Sequence, residues 1–333
     1  MSRTQGLLTP LVPLYAAVLN AKNTAYDRGW IKPKHLAWPV ISVGNLSVGG
    51  AGKTPVVIRL AQLLREQSHN VDVLSRGYGR SSQNVERVDP DGSAARYGDE
   101  PILIARSSNI PVYANVSVYV GADRYAAGSL AEREHAGSGI HLARIHLLDD
   151  GFQHRRLARD VDIVVLHSSD FNERLLPAGR LREPLATLKR ASILILREED
   201  RHLETELQRR NPTAPIWIQH RRLAIPQLKR AVAFCAIARP DEFFSALRSH
   251  SGDIAATSAF RDHHTYSDAD LDQLLDLRDQ HCSEVFITTE KDWVRLTPEQ
   301  RTRLAPLNVA RLEVVFEDEP ALTAHLLNLI VRK

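Results

Sequence analysis

The sequence is poor in cysteine. Cys235 and Cys282 are its two cysteines among 333 residues, and they are far apart in the chain. A zinc knuckle and a disulfide framework are therefore not indicated, and both thiols are expected to be reduced and buried in a cytoplasmic protein. Internal repeats and low-complexity tracts are also lacking. The 43% of hydrophobic residues is ordinary for a soluble globular protein and sufficient for a core.

The sequence also lacks a large excess of charge of either sign. Lys and Arg number 43 and Asp and Glu number 40, which gives a formal net charge of +3. This balance argues against nucleic acid as the main partner, because proteins that bind nucleic acid usually concentrate positive charge. The first 40 residues are a local exception, with one acid, Asp27, and five basic residues: Arg3, Lys22, Arg28, Lys32 and Lys34.

No convincing secretory signal or membrane-spanning segment is found near the N-terminus. The uncharged stretch Leu7–Ala21 contains two prolines and is shorter than the roughly 20 residues of a spanning helix. It also lacks a strong basic n-region and a clear cleavage site. Two interpretations stay open, a helix packed on the domain and an interfacial helix on an anionic membrane surface. The interfacial interpretation depends on an apolar helix face that is followed by basic residues. The residues of that face are Leu11, Leu14, Tyr15 and Val18.

Short apolar runs alternate with helical patterns in the first 200 residues. Helices are predicted at residues 56–64, where apolar side chains share one face, and at Ala122–Glu134. Alternation of strands and helices predicts a mostly parallel sheet with helices on both faces. The predicted buried strands are Pro39–Val43, Val71–Leu74, Ile110–Tyr113, Ile145–Leu148, Val161–Leu166 and Ile193–Leu196.

A glycine-rich loop follows the first predicted strand. The run Ser47-Val48-Gly49-Gly50-Ala51-Gly52-Lys53-Thr54 leads directly into a predicted helix, which is the context of a Walker A loop. Backbone N–H groups and the helix N-terminus would bind phosphate, Lys53 would reach the β- and γ-phosphates, and Thr54 would ligate Mg²⁺. Ser47 stands where the usual pattern has glycine. An ordinary glycine turn is the alternative, but it has no need of Gly-Lys-Thr.

Two aspartates follow the apolar run Ile145–Leu148. Asp149 and Asp150 precede Gly151, and this tripeptide suits a solvated turn. In P-loop enzymes, however, an acid at a strand tip holds Mg²⁺ directly or through water, and the carboxyl ends of the strands face the ligand crevice. The neighbouring phosphate loop favours the metal site.

Four further motifs each allow two interpretations. Tyr97-Gly98-Asp99-Glu100-Pro101 suits a helix start, and it also suits a carboxylate near an attacking hydroxyl. Composition does not distinguish Asp99 from the other acids. The loops Arg76–Arg80 and Leu176–Pro184 suit phosphate binding or solvated turns. Arg261-Asp262-His263-His264 fits no standard zinc site, and it is either a surface loop or the source of a histidine that supports a catalytic carboxylate.

Together these motifs resemble one family, the tetraacyldisaccharide 4′-kinases of lipid A synthesis, over nearly the whole chain. The most specific element is Asp149-Asp150-Gly151-Phe152-Gln153-His154 beside this phosphate loop. The stretch Cys235–Pro240 departs from a more glycine-rich version in the family, which affects the local turn alone. The other matching segments are Leu7–Tyr15, Gly44–Pro55, Ser75–Arg80, Gly98–Pro101, Leu176–Pro184, Phe260–His263 and Thr289–Asp292.

The resemblance implies ATP as donor and Mg²⁺ as cofactor. The acceptor would be the tetraacylated glucosamine disaccharide 1-phosphate, phosphorylated on its 4′-hydroxyl to give lipid IV-A. Asp99 would be the general base with His263 as its partner, and Lys53 would stabilise the transferring phosphoryl group. Residues 47–54 would bind the nucleotide. The implied metal ligands are Thr54, Asp149, Asp150 and Glu183. The predicted substrate-binding residues are Asn45, Arg76, Gln153 and His154.

We therefore predict an α/β fold with a P-loop NTPase-like, mostly parallel sheet flanked by helices and a second, smaller α/β domain. The predicted parts are an amphipathic membrane-associating helical segment (1–35), a P-loop kinase domain (36–210), a linker (211–228) and the smaller domain (229–333). Because motifs lie in both units, hinge closure is expected to assemble the site. The predicted location is peripheral, on the cytoplasmic face of the bacterial inner membrane. The later predicted strands are Ile216–Gln219, Ala231–Ala238, Val285–Thr288 and Leu312–Phe316, with helices at Asp241–Ser249 and Asp268–Gln280.

Two alternatives from other classes stay open. A nucleotide-dependent switch would need a guanine-reading Asn-Lys-x-Asp run, and Thr289-Glu290-Lys291-Asp292 has Glu in place of Asn. A kinase of a soluble small molecule would not need the Leu7–Ala21 segment and would not sediment with anionic vesicles. The oligomeric state is left open by the sequence.

Overall fold

One large sheet organises the chain. The computed structural model describes residues 8–49, 52–108, 116–136, 143–227, 229–251 and 253–331. Within these residues twelve strands form the sheet: β1 (Val40–Gly44), β2 (Asn70–Ser75), β3 (Glu86–Arg87), β4 (Val116–Val120), β5 (Arg144–Asp149), β6 (Val161–Val165), β7 (Ile193–Arg197), β8 (Ile216–Ala224), β9 (Ala231–Cys235), β10 (Ile254–Ala259), β11 (Val285–Thr289) and β12 (Leu307–Phe316). Their order across the sheet is β10-β9-β11-β12-β8-β7-β6-β1-β5-β2-β4-β3.

Helices flank the sheet. Short 3₁₀ turns supplement the α-helices, and in the described ranges no helix is both long and apolar enough to cross a membrane. The α-helices are α1 (Val12–Asp27), α2 (Lys53–Glu66), α3 (Ala94–Tyr97), α4 (Asp99–Ser108), α5 (Arg124–Ala136), α6 (Glu204–Arg210), α7 (Pro240–Ser251), α8 (Asp268–Gln280), α9 (Glu290–Arg295), α10 (Pro298–Arg303) and α11 (Glu319–Val331).

The sheet is buried on both faces in its central part. Every residue of β1 is buried, and its side chains alternate between two cores because successive strand residues point to opposite faces. Ile41 and Val43 pack in one core with the apolar faces of α2 and α4, and Val40 packs in the other with α5. Nearly continuous apolar runs of this kind are typical of parallel strands covered on both sides. The predicted α/β fold is confirmed.

Most of the predicted strands are present at nearly the predicted positions. Three strands, β3, β4 and β10, were not predicted. The predicted strand Ile110–Tyr113 lies outside the described residues. The sequence of β10, Ile-Ala-Ala-Thr-Ser-Ala, carries one large apolar side chain, so its hydrophobic pattern is weak. Burial of both cysteines was also predicted, and this is wrong for Cys282, which is exposed.

Two strands join the smaller unit to the larger one. The first half of β8 pairs in parallel with β7, and from Gln219 onward β8 pairs antiparallel with β12. Strand β12 divides in the same way, since its first four residues pair with β11 and residues 311–316 pair with β8. The predicted linker 211–228 thus contains a nine-residue strand within the sheet.

The C-terminal helix α11 returns to the larger unit. Leu322 and Leu326 are buried in the core shared with α2, and Arg59 of α2 pairs with Glu319. The last helix of the predicted smaller domain, 229–333, thus packs against α2, and the domain boundary itself stays a prediction. Hydrophobic periodicity marks the buried face of an amphipathic helix but does not specify which unit the face contacts.

Helix α1 lies on the surface. It has no buried residue, and the side chains of Leu14 and Val18 are 65% and 63% exposed. Polar contacts hold its other side, because the Tyr15 hydroxyl donates to the Arg182 carbonyl over 2.8 Å and Arg155 pairs with Asp27 at 2.7 Å. The helix is therefore attached to the domain and presents apolar side chains outward.

Candidate active site

Three neighbouring strands bring the predicted motifs to one edge of the sheet. Strands β1, β5 and β2 are adjacent and parallel, so their carboxyl ends meet at the same edge. Gly44, Asp149 and Ser75 are the last residues of these strands. The phosphate loop, the aspartate pair and the Arg76–Arg80 loop follow directly, which is the expected position for a ligand crevice.

The phosphate loop connects β1 to α2. Gly49 and Gly52 have φ angles of 98° and 78°, in the left-handed region that glycine adopts without strain. Gly52 immediately precedes the first turn of α2. Ser47 and Val48 form backbone pairs with residues 180–181, so Ser47 takes part in the loop where the usual pattern has glycine. Two predicted nucleotide-binding residues lie outside the described ranges: Gly50 and Ala51.

The segment 180–182 lies against the phosphate loop. Arg180 donates to the Val48 carbonyl over 2.9 Å, and the Arg182 backbone N–H donates to the Leu46 carbonyl over 2.7 Å. The Arg182 guanidinium then donates to both carboxylate oxygens of Asp150, each over 2.8 Å. The Leu176–Pro184 motif is therefore part of the site, and it joins the phosphate loop to the aspartate pair.

Lys53 lies between two oxygen acceptors. Its Nζ atom is 3.0 Å from Oδ1 of Asn45 and 3.5 Å from Oδ1 of Asp150. Asn45 is fully buried, also contacts Arg182, and donates to the Ser47 carbonyl over 2.8 Å. Asn45, predicted to bind substrate, is thus engaged inside the loop, where it holds Lys53.

Asp149 and Asp150 are in opposite electrostatic environments. Burial, together with the nearby charges of Asp150 and Glu100, raises the pKa of Asp149 to about 6, while Ser75 donates to its carboxylate over 3.0 Å. Burial also acts on Asp150, but Lys53 and the Arg182 clamp outweigh it and hold the pKa of Asp150 well below its usual value. One carboxylate therefore carries a cost for its charge, and the other is stabilised as an anion.

The residues at the end of β5 fit Mg²⁺. Carboxylate and hydroxyl oxygens are the ligands that this ion prefers, and Asp149, Asp150 and Thr54 supply them. Asp149 is buried, and its pKa is raised partly by neighbouring carboxylates, so a cation there would remove an electrostatic cost. Thr54 is buried in the first turn of α2.

Glu183, the fourth predicted metal ligand, has different surroundings. It is 1% exposed and pairs with Arg190. Burial raises the pKa of Glu183, against the charges of Arg190 and Lys22. In the described ranges, Glu183 makes no contact with Asp149 or Asp150. Its contacts are those of a buried ion pair beneath α1, and its predicted role at the metal stays a prediction.

The predicted base and its partner meet across the two units. Nδ1 of His263 lies 2.9 Å from Oδ2 of Asp99, and Nε of Arg295 donates to the same oxygen over 2.7 Å. The hydrogen bond to Asp99 raises the pKa of His263. Burial would raise the pKa of Asp99, but the hydrogen bonds and charges of His263 and Arg295 outweigh it and lower that pKa. Asp99 is therefore an anion at neutral pH.

A second ion pair joins the units next to the first. Nζ of Lys291 lies 2.6 Å from Oε1 of Glu100. Burial alone would raise the pKa of Glu100, and the ammonium group of Lys291 lowers it. Since Glu100 also raises the pKa of Asp149, the contact between the units and the aspartate pair share one electrostatic environment.

The Arg76–Arg80 loop packs on the turn before Asp99. Gly98 has a φ angle of 96° and a ψ angle of 157°, a conformation restricted almost entirely to glycine. A Cβ atom there would lie 2.9 Å from the Cα atom of Gly77. Tyr78 is exposed, and its ring centroid is 5.8 Å from that of His263. Arg76, predicted to bind substrate, is exposed at the start of this loop.

Gln153 and His154 follow the aspartate pair. Nε2 of Gln153 donates to the Asn45 carbonyl over 2.9 Å, and its Oε1 is buried without a hydrogen bond. Burial lowers the pKa of His154 to about 4, with Arg124 contributing, so His154 is neutral at pH 7. Nε2 of His154 and Nε of Arg124 are also buried without hydrogen-bond partners. These atoms are available to a ligand.

The sequence did not indicate Arg182 and Arg295 individually. Arg182 lies within the Leu176–Pro184 motif, for which phosphate binding and a solvated turn both stayed open. Arg295 follows Asp292 by three residues on α9, which is the spacing that places two side chains on one helix face, and their side chains pair at 3.1 Å. That spacing was the available signal, but it gives no indication that Asp99 lies within reach.

Known proteins resemble this chain along its whole length. The family model "Tetraacyldisaccharide-1-P 4'-kinase" (LpxK) matches residues 4–331. A tetraacyldisaccharide 4′-kinase from Koribacter versatilis is 42% identical, with 98% of this chain and 99% of the relative covered. One from Aquifex aeolicus is 36% identical over 87% of this chain and 89% of the relative.

A solved structure gives the same result. The "apo" form of LpxK from Aquifex aeolicus in complex with ATP superposes with a TM-score of 0.77 at 32% identity, covering 98% of this chain and 99% of that one. The chain belongs to the tetraacyldisaccharide-1-P 4′-kinase family. It is thus a kinase of lipid A biosynthesis, and the predicted family is confirmed.

Membership of the LpxK family removes the nucleotide-dependent switch from consideration. The residues that nearly match a guanine-reading run also have other contacts here. Lys291 pairs with Glu100, while Asp292 accepts hydrogen bonds from Thr289 and Tyr266. Lys291 therefore joins the two units, and Asp292 stabilises the interior of the smaller unit.

Proposed function

We propose that the chain transfers the γ-phosphoryl group of ATP to the 4′-hydroxyl of a tetraacylated glucosamine disaccharide 1-phosphate. The observation that carries this proposal is the contact between Asp99 and His263 at 2.9 Å. It supplies a carboxylate base in a family whose members are kinases of this lipid class. The product would be lipid IV-A.

The nucleotide end of the proposed site is the phosphate loop. Backbone N–H groups of the loop and the N-terminus of α2 would bind phosphate oxygens, and Lys53 would stabilise charge on the transferring group. Thr54, Asp149 and Asp150 would hold Mg²⁺, which when bound supplies positive charge to the β- and γ-phosphate oxygens.

The acceptor end is Asp99. As an anion, Asp99 can accept the proton of the 4′-hydroxyl while the oxygen forms its bond to the γ-phosphorus and the bond to the β–γ bridging oxygen breaks. His263 would hold the carboxylate and stabilise it. Arg76, Gln153 and His154 would contact the disaccharide, since the first is exposed beside the site and the others have buried polar atoms without partners.

Helix α1 would rest on the cytoplasmic face of the inner membrane. Its exposed apolar residues suit insertion at the lipid interface, and basic residues near it suit anionic headgroups. Trp30, which follows the helix, is 70% exposed, and tryptophan favours this interface. An acceptor with four acyl chains stays in the bilayer, so the enzyme has to bind there.

Transfer of label from γ-labelled ATP to the lipid disaccharide 1-phosphate in anionic vesicles tests the proposal. We expect label on the 4′-oxygen alone, and a loss of turnover of about 10²-fold or more in Asp99→Asn. Asp276→Asn, an exposed position on α8, is the control and should keep full activity. Absence of lipid labelling, or normal turnover of Asp99→Asn, would contradict the assignment.

The same vesicles test the membrane contact. The double variant Leu14→Glu, Val18→Glu should sediment less with vesicles than the unchanged protein and should label the lipid more slowly, while ATP binding is unchanged. Equal sedimentation and equal labelling would favour an enzyme that needs no membrane contact through α1.

A further inference from the structure

Two donors hold the same oxygen of Asp99. Oδ2 accepts from Nε of Arg295 over 2.7 Å and lies 2.9 Å from Nδ1 of His263. No side chain in the described ranges makes a hydrogen bond to the other oxygen, Oδ1. The carboxylate thus has one oxygen fixed by the smaller unit and one oxygen left for another group.

A buried network fixes Arg295 itself. Its side chain is 5% exposed, and Nη1 donates to the Ala236 carbonyl over 2.6 Å and to Asp292 over 3.1 Å. Asp292 is fully buried and also accepts from the Tyr266 hydroxyl over 2.9 Å and from the Ala236 N–H over 3.0 Å. Arg295 therefore has little freedom to rotate, in contrast to an arginine in a surface ion pair.

We propose that Arg295 is a positioning residue, which holds Oδ2 of Asp99 so that Oδ1 receives the proton of the acceptor hydroxyl. The inference rests on the proposed function, in which Asp99 is the base. Arginine is suited to this role because its planar guanidinium stays protonated at every physiological pH and binds two acceptors at once. His263 alone could lose its charge as the pH rises.

The charged groups around Asp99 define the expected pH effect. His263, Arg295 and Lys291 face it from the smaller unit, Glu100 lies next to it on α4, and Asp262 lies 4.0 Å from Nε2 of His263. Burial raises the pKa of Asp99, while the hydrogen bonds and charges of His263 and Arg295 lower it. Loss of Arg295 should therefore raise this pKa and move the acid limb of kcat/KM to higher pH.

Kinetics of Arg295→Gln and Arg295→Lys test the inference. In Arg295→Gln we expect kcat to fall by about 10- to 100-fold, as for a misaligned catalytic group, with ATP binding unchanged and the acid limb about one pH unit higher. Arg295→Lys keeps the charge but lacks the planar fork. It should lose less activity and show a smaller shift of the acid limb. Arg301→Gln is the matched control and should leave kcat and the acid limb unchanged, because Arg301 stacks on Trp293 and donates to the Trp293 carbonyl.

A double variant separates positioning from general damage. If Arg295 acts through Asp99, adding Arg295→Gln to Asp99→Asn should cause little further loss of activity, whereas independent effects would multiply. If Asp99→Asn is inactive but Arg295→Gln keeps normal kcat and an unchanged acid limb, the inference fails and the proposed function stands. If Asp99→Asn is active, the proposed function itself fails. Should Arg295→Gln not fold, normal kcat in Arg295→Lys would overturn the inference.

Discussion

Two residues at the site adopt a backbone conformation that side chains disfavour. Asp150 and His263 have φ angles of 52° and 60°, and in the described ranges Ser68 and Cys282 are the other non-glycine residues with positive φ. This conformation costs about 1 kcal/mol or more for a residue with a Cβ atom. At Asp150 it is accompanied by the contacts to Lys53 and Arg182, and at His263 by the contact to Asp99. Two of these four residues thus have proposed chemistry, and the other two follow the ends of helices.

The aspartate pair leads to a prediction on stability. Asp149 has a pKa of about 6 in the folded protein and roughly 3.9 when unfolded. Because the folded pKa is raised, stability falls as the pH rises from about 4 to about 6. In EDTA at pH 8, Asp149→Asn should raise the free energy of unfolding by about 1–3 kcal/mol, measured by urea denaturation, and should abolish activity. The gain should shrink as the pH is lowered toward 4.

Asp150→Asn is the matched control for that measurement. The pKa of Asp150 is lowered by Lys53 and Arg182, so its charge stabilises the fold above the unfolded pKa and is lost as the pH falls. Asp150→Asn should therefore reduce the free energy of unfolding at pH 8. If both variants change stability in the same direction, the assignment of opposite environments is wrong.

Two helices end in the same hydrogen-bonding motif. At the end of α2, Ser68 N–H donates to the Arg65 carbonyl and His69 N–H to the Leu64 carbonyl. At the end of α8, Cys282 N–H donates to the Asp279 carbonyl and Ser283 N–H to the Arg278 carbonyl. These paired bonds define the Schellman motif, whose left-handed position normally holds glycine. Ser68 and Cys282 occupy that position here.

Ser68→Gly and Cys282→Gly should each stabilise the protein. Removal of the Cβ atom relieves the left-handed strain, and after the entropy cost of glycine a net gain of about 0.5–1 kcal/mol is expected. Thermal unfolding of the single variants measures it. The neighbouring positions Gln67 and His281, with φ angles of −93° and −96°, provide the controls, since glycine there should destabilise. A gain at the controls as large as at Ser68 and Cys282 would contradict the explanation.

The elements of the site differ in how well the sequence predicted them. The phosphate loop and the aspartate pair follow strands with strong apolar patterns, so local sequence was enough to place both at one sheet edge. Arg295 acts through the packing of α9 on α4, which joins residues almost 200 positions apart. Glu183 belongs to a motif that lies partly at the phosphate loop and partly beneath α1. Because Glu183 directly follows Arg182 in the chain, the sequence did not show that the two side chains have different surroundings.

At the scale of the molecule, the sequence predicted the layers well and the connections less well. Repeated apolar runs gave the parallel sheet of the larger unit. The prolines near residues 212–226 suggested a linker, but β8 crosses that region within the sheet. Helix α11 returns to the larger unit because Leu322 and Leu326 complete its core. These features depend on long-range packing, which local patterns do not encode.

The paired crossing of β8 and β12 predicts how the two units move. Both strands change partners midway, and between the units they are hydrogen-bonded to each other. Such a ribbon should bend about one axis, whereas a single flexible linker would permit many orientations. Spin labels at Glu66 paired with labels at Ser249 or Asp272, in a Cys282→Ser background, measure this. Both distances should change together when ATP and the lipid acceptor are added. Broad, uncorrelated distance distributions would contradict the prediction.

Movement with a single degree of freedom has a consequence for unproductive turnover. His263 and Arg295 both belong to the smaller unit, so if the units move in this way, the two side chains reach or leave Asp99 in the same step. The carboxylate is then either held by both or by neither, without a stable half-assembled form. An open enzyme that has bound ATP lacks an organised base, and a water molecule that enters the cleft is not activated. The nucleotide should therefore survive intact until an acceptor enters the cleft.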